Sequence, residues 1–232
     1  MLPLAIDQSR RYLQMSDGTP FHWIGDTAWE LFHKLNCEEA IWYLTERAKQ
    51  GFTVIQAVIL AECDGLHTPN AYGRLPLRMD TNGLPDPTKP DCTGKYSYFD
   101  HVETILCAAE SRGLYMAVLP TWGDKWNRKW GVGPEIFTPE NAFQYGKWLA
   151  ARLCHHDNLI WLLGGDRPIE TPGQRTVINA MADGLRAGDG GKFLIGFHPS
   201  GAASSIAARS FSFFFPYRLL CRSANSTARY FF

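Results

Sequence analysis

Apolar positions in this chain fall into short runs, each followed by a longer amphipathic stretch. "FHWIGDTAW" opens with such a run, Phe21 to Ile24, which breaks at Gly25-Asp26. In "NCEEAIWYLTERAKQGF", Ala40, Tyr43, Leu44 and Ala48 recur at helical spacing, Asn36 suits an N-cap and Gly51 a stop. "FTVIQAVIL" is β-branched and almost unbroken, as expected of a strand buried on both faces. A polar, proline-rich stretch from Ala61 to Tyr96 reads as loop. "SYFDHVETILCAAESRGL" predicts a helix closed by Gly113, and "YMAVLP" a third strand. A second loop, "TWGDKWNRKWGVGPEIFT", precedes a helix that opens at Pro139, where proline suits a first turn. "NLIWLL" predicts a fourth strand, "TVINAMADGLRAGD" a helix and "FLIGFHP" a fifth strand.

Strand and helix alternate, which implies parallel strands joined by right-handed crossovers. An open doubly wound sheet calls for a G-x-G-x-x-G turn after its first strand; "GDTAWE" supplies none. Polar residues instead follow every apolar run: Asp26, Glu62, Thr121-Trp122, Asp166 and His198. In a barrel all such positions converge on one mouth. The expected fold is therefore α/β, of the (β/α)8 TIM-barrel type, incomplete here with about five βα units visible.

Charge and composition narrow the function classes. The formal net charge is zero, so no nucleic-acid or membrane partner is expected. No apolar run approaches the ~20 residues of a membrane helix. The N-terminus lacks the features of a signal peptide, and a cytoplasmic location is expected. The six cysteines are scattered, without CxxC, and read as free thiols. Without HxH or HExxH no metal is expected, and no cofactor; His155-His156 reads as a helix end. No G-x-S-x-G nucleophile elbow is present.

What remains is carboxylates and aromatic rings. In "IWLLGGDRP", Gly164 and Gly165 strip the backbone just before Asp166 and Arg167. Three readings stay open for Asp166: a carboxylate reaching into the cleft, an N-cap of the next helix, or a structural pair with Arg167. Glycosidases commonly place two carboxyl groups around the scissile bond, and Asp26, Glu62, Asp124 and Asp166 are the candidates. "TWGDKWNRKWG" sets Trp122, Trp126 and Trp130 four residues apart, interleaved with Asp124 and Lys125. Aromatic faces suit the CH face of a sugar, and the charges suit its hydroxyls. At least one of these tryptophans is expected to anchor the loop instead. His198 either binds substrate or is structural.

"DGTPFHWIGDTAWELFHKLN", "GFTVIQAV", "TPNAYG", "LPTWGDKWN", "GVGPEIFTPENAFQYGKWLAAR" and "NLIWLLGGDRP" together resemble the apiosidase-like catalytic domain, glycoside hydrolase family 140 and its uncharacterised relatives. The resemblance runs from about Arg11 to Ser205. It implies a (β/α)8 barrel and release of a terminal sugar, apiose or a similar one, from pectic, plant cell-wall-type polysaccharide. It implies that Asp166, in the "GGD" motif, is the general acid/base, partnered by a glutamate near a late strand. The substrate-binding set expected around it is Asp26, Trp29, Glu62, Tyr72, Trp122, Asp124, Lys125, Trp126, Arg167 and His198.

The chain departs from that pattern late. After Asp189 there is no Asp or Glu. Residues 1–205 read as the N-terminal part of a glycoside hydrolase barrel. Residues 206–232, rich in Phe, Ser and Arg, read as an aberrant, out-of-frame tail. The alternative for a chain so ended is an inactive carbohydrate-binding remnant or a non-folding fragment.

Overall fold

Five parallel strands, in the order β3-β4-β7-β8-β9, form the central sheet of a computed structural model that describes residues 1–200. The boundary expected at residue 205 and the tail beyond it lie outside the described residues. Two short antiparallel strands come first: β1 (Leu4–Ile6) and β2 (Leu13–Met15). β3 (Gly25–Thr27) leads through the single turn α1 (Leu31–Lys34) to α2 (Cys37–Lys49) and β4 (Val54–Leu60). A second antiparallel pair, β5 (Leu77–Met79) and β6 (Pro85–Pro90), precedes α3 (Tyr98–Glu110) and β7 (Tyr115–Thr121). A 3-10 turn at Gly123–Lys125 leads to α4 (Pro139–Leu153), β8 (Leu159–Leu163), α5 (Pro172–Asp189) and β9 (Ile195–Phe197). Every neighbouring pair in the central sheet is parallel.

Side chains alternate across this sheet and divide the apolar residues into two cores. Ile55, Ala57 and Ile59 of β4, Met116 and Val118 of β7, and Trp161 of β8 pack against the helices. Their neighbours Val54, Val58, Ala117, Leu119, Ile160 and Leu162 pack on the opposite face, the inner wall of a barrel. Leu4 of the first hairpin joins that inner cluster, and the Tyr115 hydroxyl donates to the Leu2 carbonyl at 2.6 Å. The hairpin therefore covers the end of the sheet opposite the expected mouth.

The helices begin where their caps dictate. Asn36, Ser97, Thr138 and Thr171 each accept a backbone N–H from three residues on, a contact worth about 1 kcal/mol per helix. α5 starts a turn earlier than its apolar periodicity indicates, because Thr171-Pro172 is itself a start signal.

The structure corrects two sequence expectations and adds a hairpin that none of them covered. The first sheet strand is Gly25–Thr27, not Phe21–Ile24. The Ile24 carbonyl accepts from Thr53 and Val54 N–H, and the Thr53 hydroxyl donates to the His22 carbonyl at 2.6 Å, so the chain joins the ladder only afterwards. The stretch read as one loop, 61–96, contains β5 and β6. Proline is tolerated there because the pair is isolated and each strand has a free edge. The hairpin of β1 and β2 carries too few residues for its period to stand out. Among the described residues no helix is long and apolar enough to cross a membrane, and Cys37, Cys63, Cys92, Cys107 and Cys154 are free thiols.

Candidate active site

The carboxyl ends of the five parallel strands carry one cluster of acids and rings. Asp166, directly after β8, has a left-handed backbone, φ 59°, which asparagine and aspartate tolerate best among residues with a side chain. Gly164 and Gly165 before it also have positive φ. The glycines are required twice over. Besides conformation, Gly123 N–H donates to the Gly165 carbonyl at 3.1 Å, and a Cβ at Gly165 would run into the Gly123 backbone, as one at Gly164 would into the His198 carbonyl. The bare backbone lets the turns after β7, β8 and β9 close on one another.

Asp166 is therefore held by its main chain. Its N–H donates to His198 Nδ1 at 3.2 Å, and its carbonyl accepts from Arg167 Nη1 at 3.0 Å. Among the described residues its side chain makes no N-cap bond; α5 takes its cap from Thr171. Arg167 is buried. It also donates through Nε to the Asn127 carbonyl at 3.1 Å and lies 4.5 Å from the centre of the Trp130 ring. Trp29, Trp122 and His198 form an aromatic wall at the same end. Trp29 lies 5.2 Å from Trp122 and 5.3 Å from His198, centroid to centroid.

Glu62, two residues past β4, is half-buried. Burial pushes its carboxyl up, and the charges of Glu30, Asp124 and Asp166 push the same way against Arg167. Glu62 thus stands within the field of Asp166 and favours its protonated form more than a free glutamate does.

Several expected sugar contacts are otherwise engaged. Asp26 is not at the mouth: it pairs with Ile55, near the start of β4, and its carboxylate binds Arg47 and the Tyr43 hydroxyl, both on α2. A side chain within a strand must choose a face, and Asp26 faces the helices. Tyr72 accepts the Cys37 N–H at 2.9 Å and packs against Tyr96 and His101, fastening its loop to the start of α2. Asp124 and Lys125 form a closed ion pair of 2.7 Å with exposures of 1% and 0%, and Asp124 also accepts the Gly133 N–H at 2.9 Å. They stiffen the loop from within. Trp126 donates Nε1–H to the Gly164 carbonyl at 3.1 Å and lies in the helix-side core: it is the anchor of the tryptophan loop, while Trp130 is exposed.

The acid that does follow the first strand is Glu30. The Val58 N–H donates to the Trp29 carbonyl at 3.3 Å, which places Trp29-Glu30 level with the upper part of β4. Glu30, Glu62 and Cys63 present ligand atoms within 4.8 Å of one another. His33 Nδ1 lies 2.6 Å from Glu30 and Nε2 lies 2.9 Å from the Thr68 carbonyl. Burial opposes protonation of His33, but these bonds outweigh it and raise its pKa. The sequence reading does not reach Glu30 and His33, because a strand that ends at Gly25 puts Asp26, not Glu30, at the mouth. Their i, i+3 spacing on a helical turn was the available signal.

The model of the family described as apiosidase-like, catalytic domain, matches residues 7–217. Among solved structures, a protein described as a glycoside hydrolase family 5 member from Bacteroides vulgatus ATCC 8482 is 29% identical, with a TM-score of 0.77 over 91% of this chain and 43% of its own. Another, described as a glycoside hydrolase, is also 29% identical, with a TM-score of 0.75 over 91% of this chain and 44% of its own. The chain thus spans less than half the length of these two relatives. A β-1,4-D-mannanase from Cryptopygus antarcticus, 9% identical, shares the fold at a TM-score of 0.57 over 86% of this chain and 61% of its own. Among curated proteins none matches.

Proposed function

Starting from a chain that belongs to the apiosidase-like catalytic domain family, we propose that it is built for hydrolysis of O-glycosidic bonds, with Asp166 as general acid. The observation that carries this reading is the treatment of Asp166. Its backbone is bonded on both sides, by His198 and Arg167, while its carboxylate accepts no hydrogen bond from a described residue. A carboxyl group on a main chain held on both sides, with no bond to its oxygens from the described residues, is suited to passing a proton.

In the first step Asp166, as carboxylic acid, gives its proton to the glycosidic oxygen as the bond from that oxygen to the anomeric carbon breaks. The departing alcohol leaves neutral as positive charge develops on the sugar ring; water then adds its oxygen to the anomeric carbon and its proton returns to the Asp166 carboxylate, which restores the acid. The Trp29–Trp122 wall supports a sugar ring by contact with its CH face. The carboxylate that proton transfer leaves on Asp166 faces the positive charge developing on the ring. The substrate proposed is a terminal sugar, apiose or a similar one, on a plant cell-wall-type polysaccharide.

The test is a panel of apiosides, common aryl glycosides and pectic polysaccharide, assayed for released sugar with the wild type and with Asp166→Asn. Turnover by the wild type that D166N loses supports the reading. Turnover of equal size in both overturns the role of Asp166. Sugar binding without turnover supports instead a carbohydrate-binding protein.

A further inference from the structure

We propose that His198 is the positioning residue for Asp166: as the neutral ring protonated on Nε2, it accepts the Asp166 N–H through Nδ1 and holds the left-handed turn that aims the carboxyl group. This rests on the reading of Asp166 as the general acid.

The direction of the hydrogen bond fixes the tautomer of the ring. A backbone N–H can only donate, so the Nδ1 atom 3.2 Å away must carry a lone pair. A ring with bare Nδ1 carries its proton on Nε2 when neutral. An imidazolium would set two N–H groups against each other and release the bond. The second point is strain. Asp166 is a residue with a side chain at φ 59°, a strained conformation that persists where surroundings over-determine it. The surroundings here are His198 on the amide, Arg167 on the carbonyl and the Gly123–Gly165 contact behind.

The third point is how the ring itself is held. Trp29 meets it edge to face at 5.3 Å and Trp122 lies 6.1 Å away. The turns that follow β3 and β7 thus present aromatic rings to it. The turn after β8 presents Asp166, the one charge among the described residues that acts on the imidazole. Burial lowers the pKa of His198 against the pull of that carboxylate and of a hydrogen bond to its own backbone, which agrees with the neutral form the geometry demands. Protonation as pH falls through that lowered pKa breaks the bond to Asp166, so the positioning fails on the acid side.

Two measurements test this on the full chain. In 15N-labelled protein at neutral pH, long-range proton–nitrogen correlations of the His198 ring, assigned by their loss in H198Q, are expected to show a bare Nδ1 and a protonated Nε2. A Nδ1–H tautomer or an imidazolium overturns the proposal, whether or not the protein turns over any glycoside. The second compares His198→Asn with His198→Gln, since an Asn carbonyl reproduces the position of Nδ1 and a Gln side chain that of Nε2. H198N is expected to keep kcat within about threefold and to lose the lower-pH ionisation from its profile. H198Q is expected to lose roughly 100-fold in kcat, with KM nearly unchanged. Equal kcat in the two variants, or an effect confined to KM, overturns positioning. Native-like circular dichroism in both variants is the control for folding. A wild type that hydrolyses nothing fails the glycosidase reading alone, and the ring tautomer still decides the proposal.

Discussion

Gly123 and Gly165 meet main chain to main chain: the N–H of the first donates to the carbonyl of the second at 3.1 Å, and neither has room for a Cβ. Through this contact the turn after β7 supports the turn that carries Asp166. Gly165→Ala is expected to cost roughly 3 kcal/mol or more, since it adds a left-handed alanine to a backbone collision. Urea unfolding measures it. A change under 1 kcal/mol would show that the two turns part easily.

The Asp124–Lys125 pair is closed to solvent, so removing one partner strands a buried charge. Lys125→Met keeps the stem and removes the ammonium. The expected loss is about 3–5 kcal/mol. A double variant that also carries Asp124→Asn is expected to recover part of it. Simple additivity of the two losses in a double-mutant cycle would argue against coupling.

Asp166→Asn is expected to reduce hydrolysis of unactivated glycosides by roughly two to four orders of magnitude, because an amide supplies no proton. The loss is expected to be smaller for a nitrophenyl glycoside, whose departure needs less protonation. Equal losses on both substrates would place Asp166 in binding or folding.

Glu62 has its carboxyl pushed up by burial and by its acidic neighbours. Its folded pKa thus exceeds its unfolded one. The stabilisation linked to its proton is present below the unfolded value and is lost as pH rises through the folded one. Glu62→Gln, which cannot ionise, is expected to gain stability relative to the wild type as pH is raised from about 4 to 8. Unfolding midpoints across that range measure the difference. A gap independent of pH would mean that ionised Glu62 is compensated.

His156 follows α4 with an exposure of 2%, and Glu110 lies 4.0 Å from its Nδ1. Burial, then the neighbouring His155 and Lys192, lower its pKa to about 4, against the pull of Glu110 and Asp157. A depressed folded pKa means stability present above the unfolded value of 6.5 and lost as pH falls toward 4. The loss is on the order of 3 kcal/mol. His156→Gln is expected to flatten that slope. An unchanged slope would place the acid sensitivity elsewhere.

The alternation of the central strands and helices, the parallel sheet and the starts of α2, α3 and α4 were legible in the chain because each rests on local chemistry. "VIQAVIL" and "MAVLP" have nowhere to go but between two apolar layers, and Asn36, Ser97 and Thr138 cap their helices within three residues. Asp166 was legible for the same reason: two glycines beside a carboxylate after a buried strand is a local signal. Which acids share the mouth with it was decided by tertiary structure. The register of β3 against β4 sets Asp26 opposite Ile55 and brings Glu30, not Asp26, to Glu62. A shift of a few residues along a strand changes both its level in the sheet and the face its side chains take. Trp122 and Trp126 differ in the same way. Both stand in one short loop of sequence, yet the fold turns Trp122 to the inner wall and Trp126 to the helix layer. Side-chain direction in a tight turn depends on what the turn packs against, and that partner, the backbone of Gly164-Gly165, lies some forty residues away.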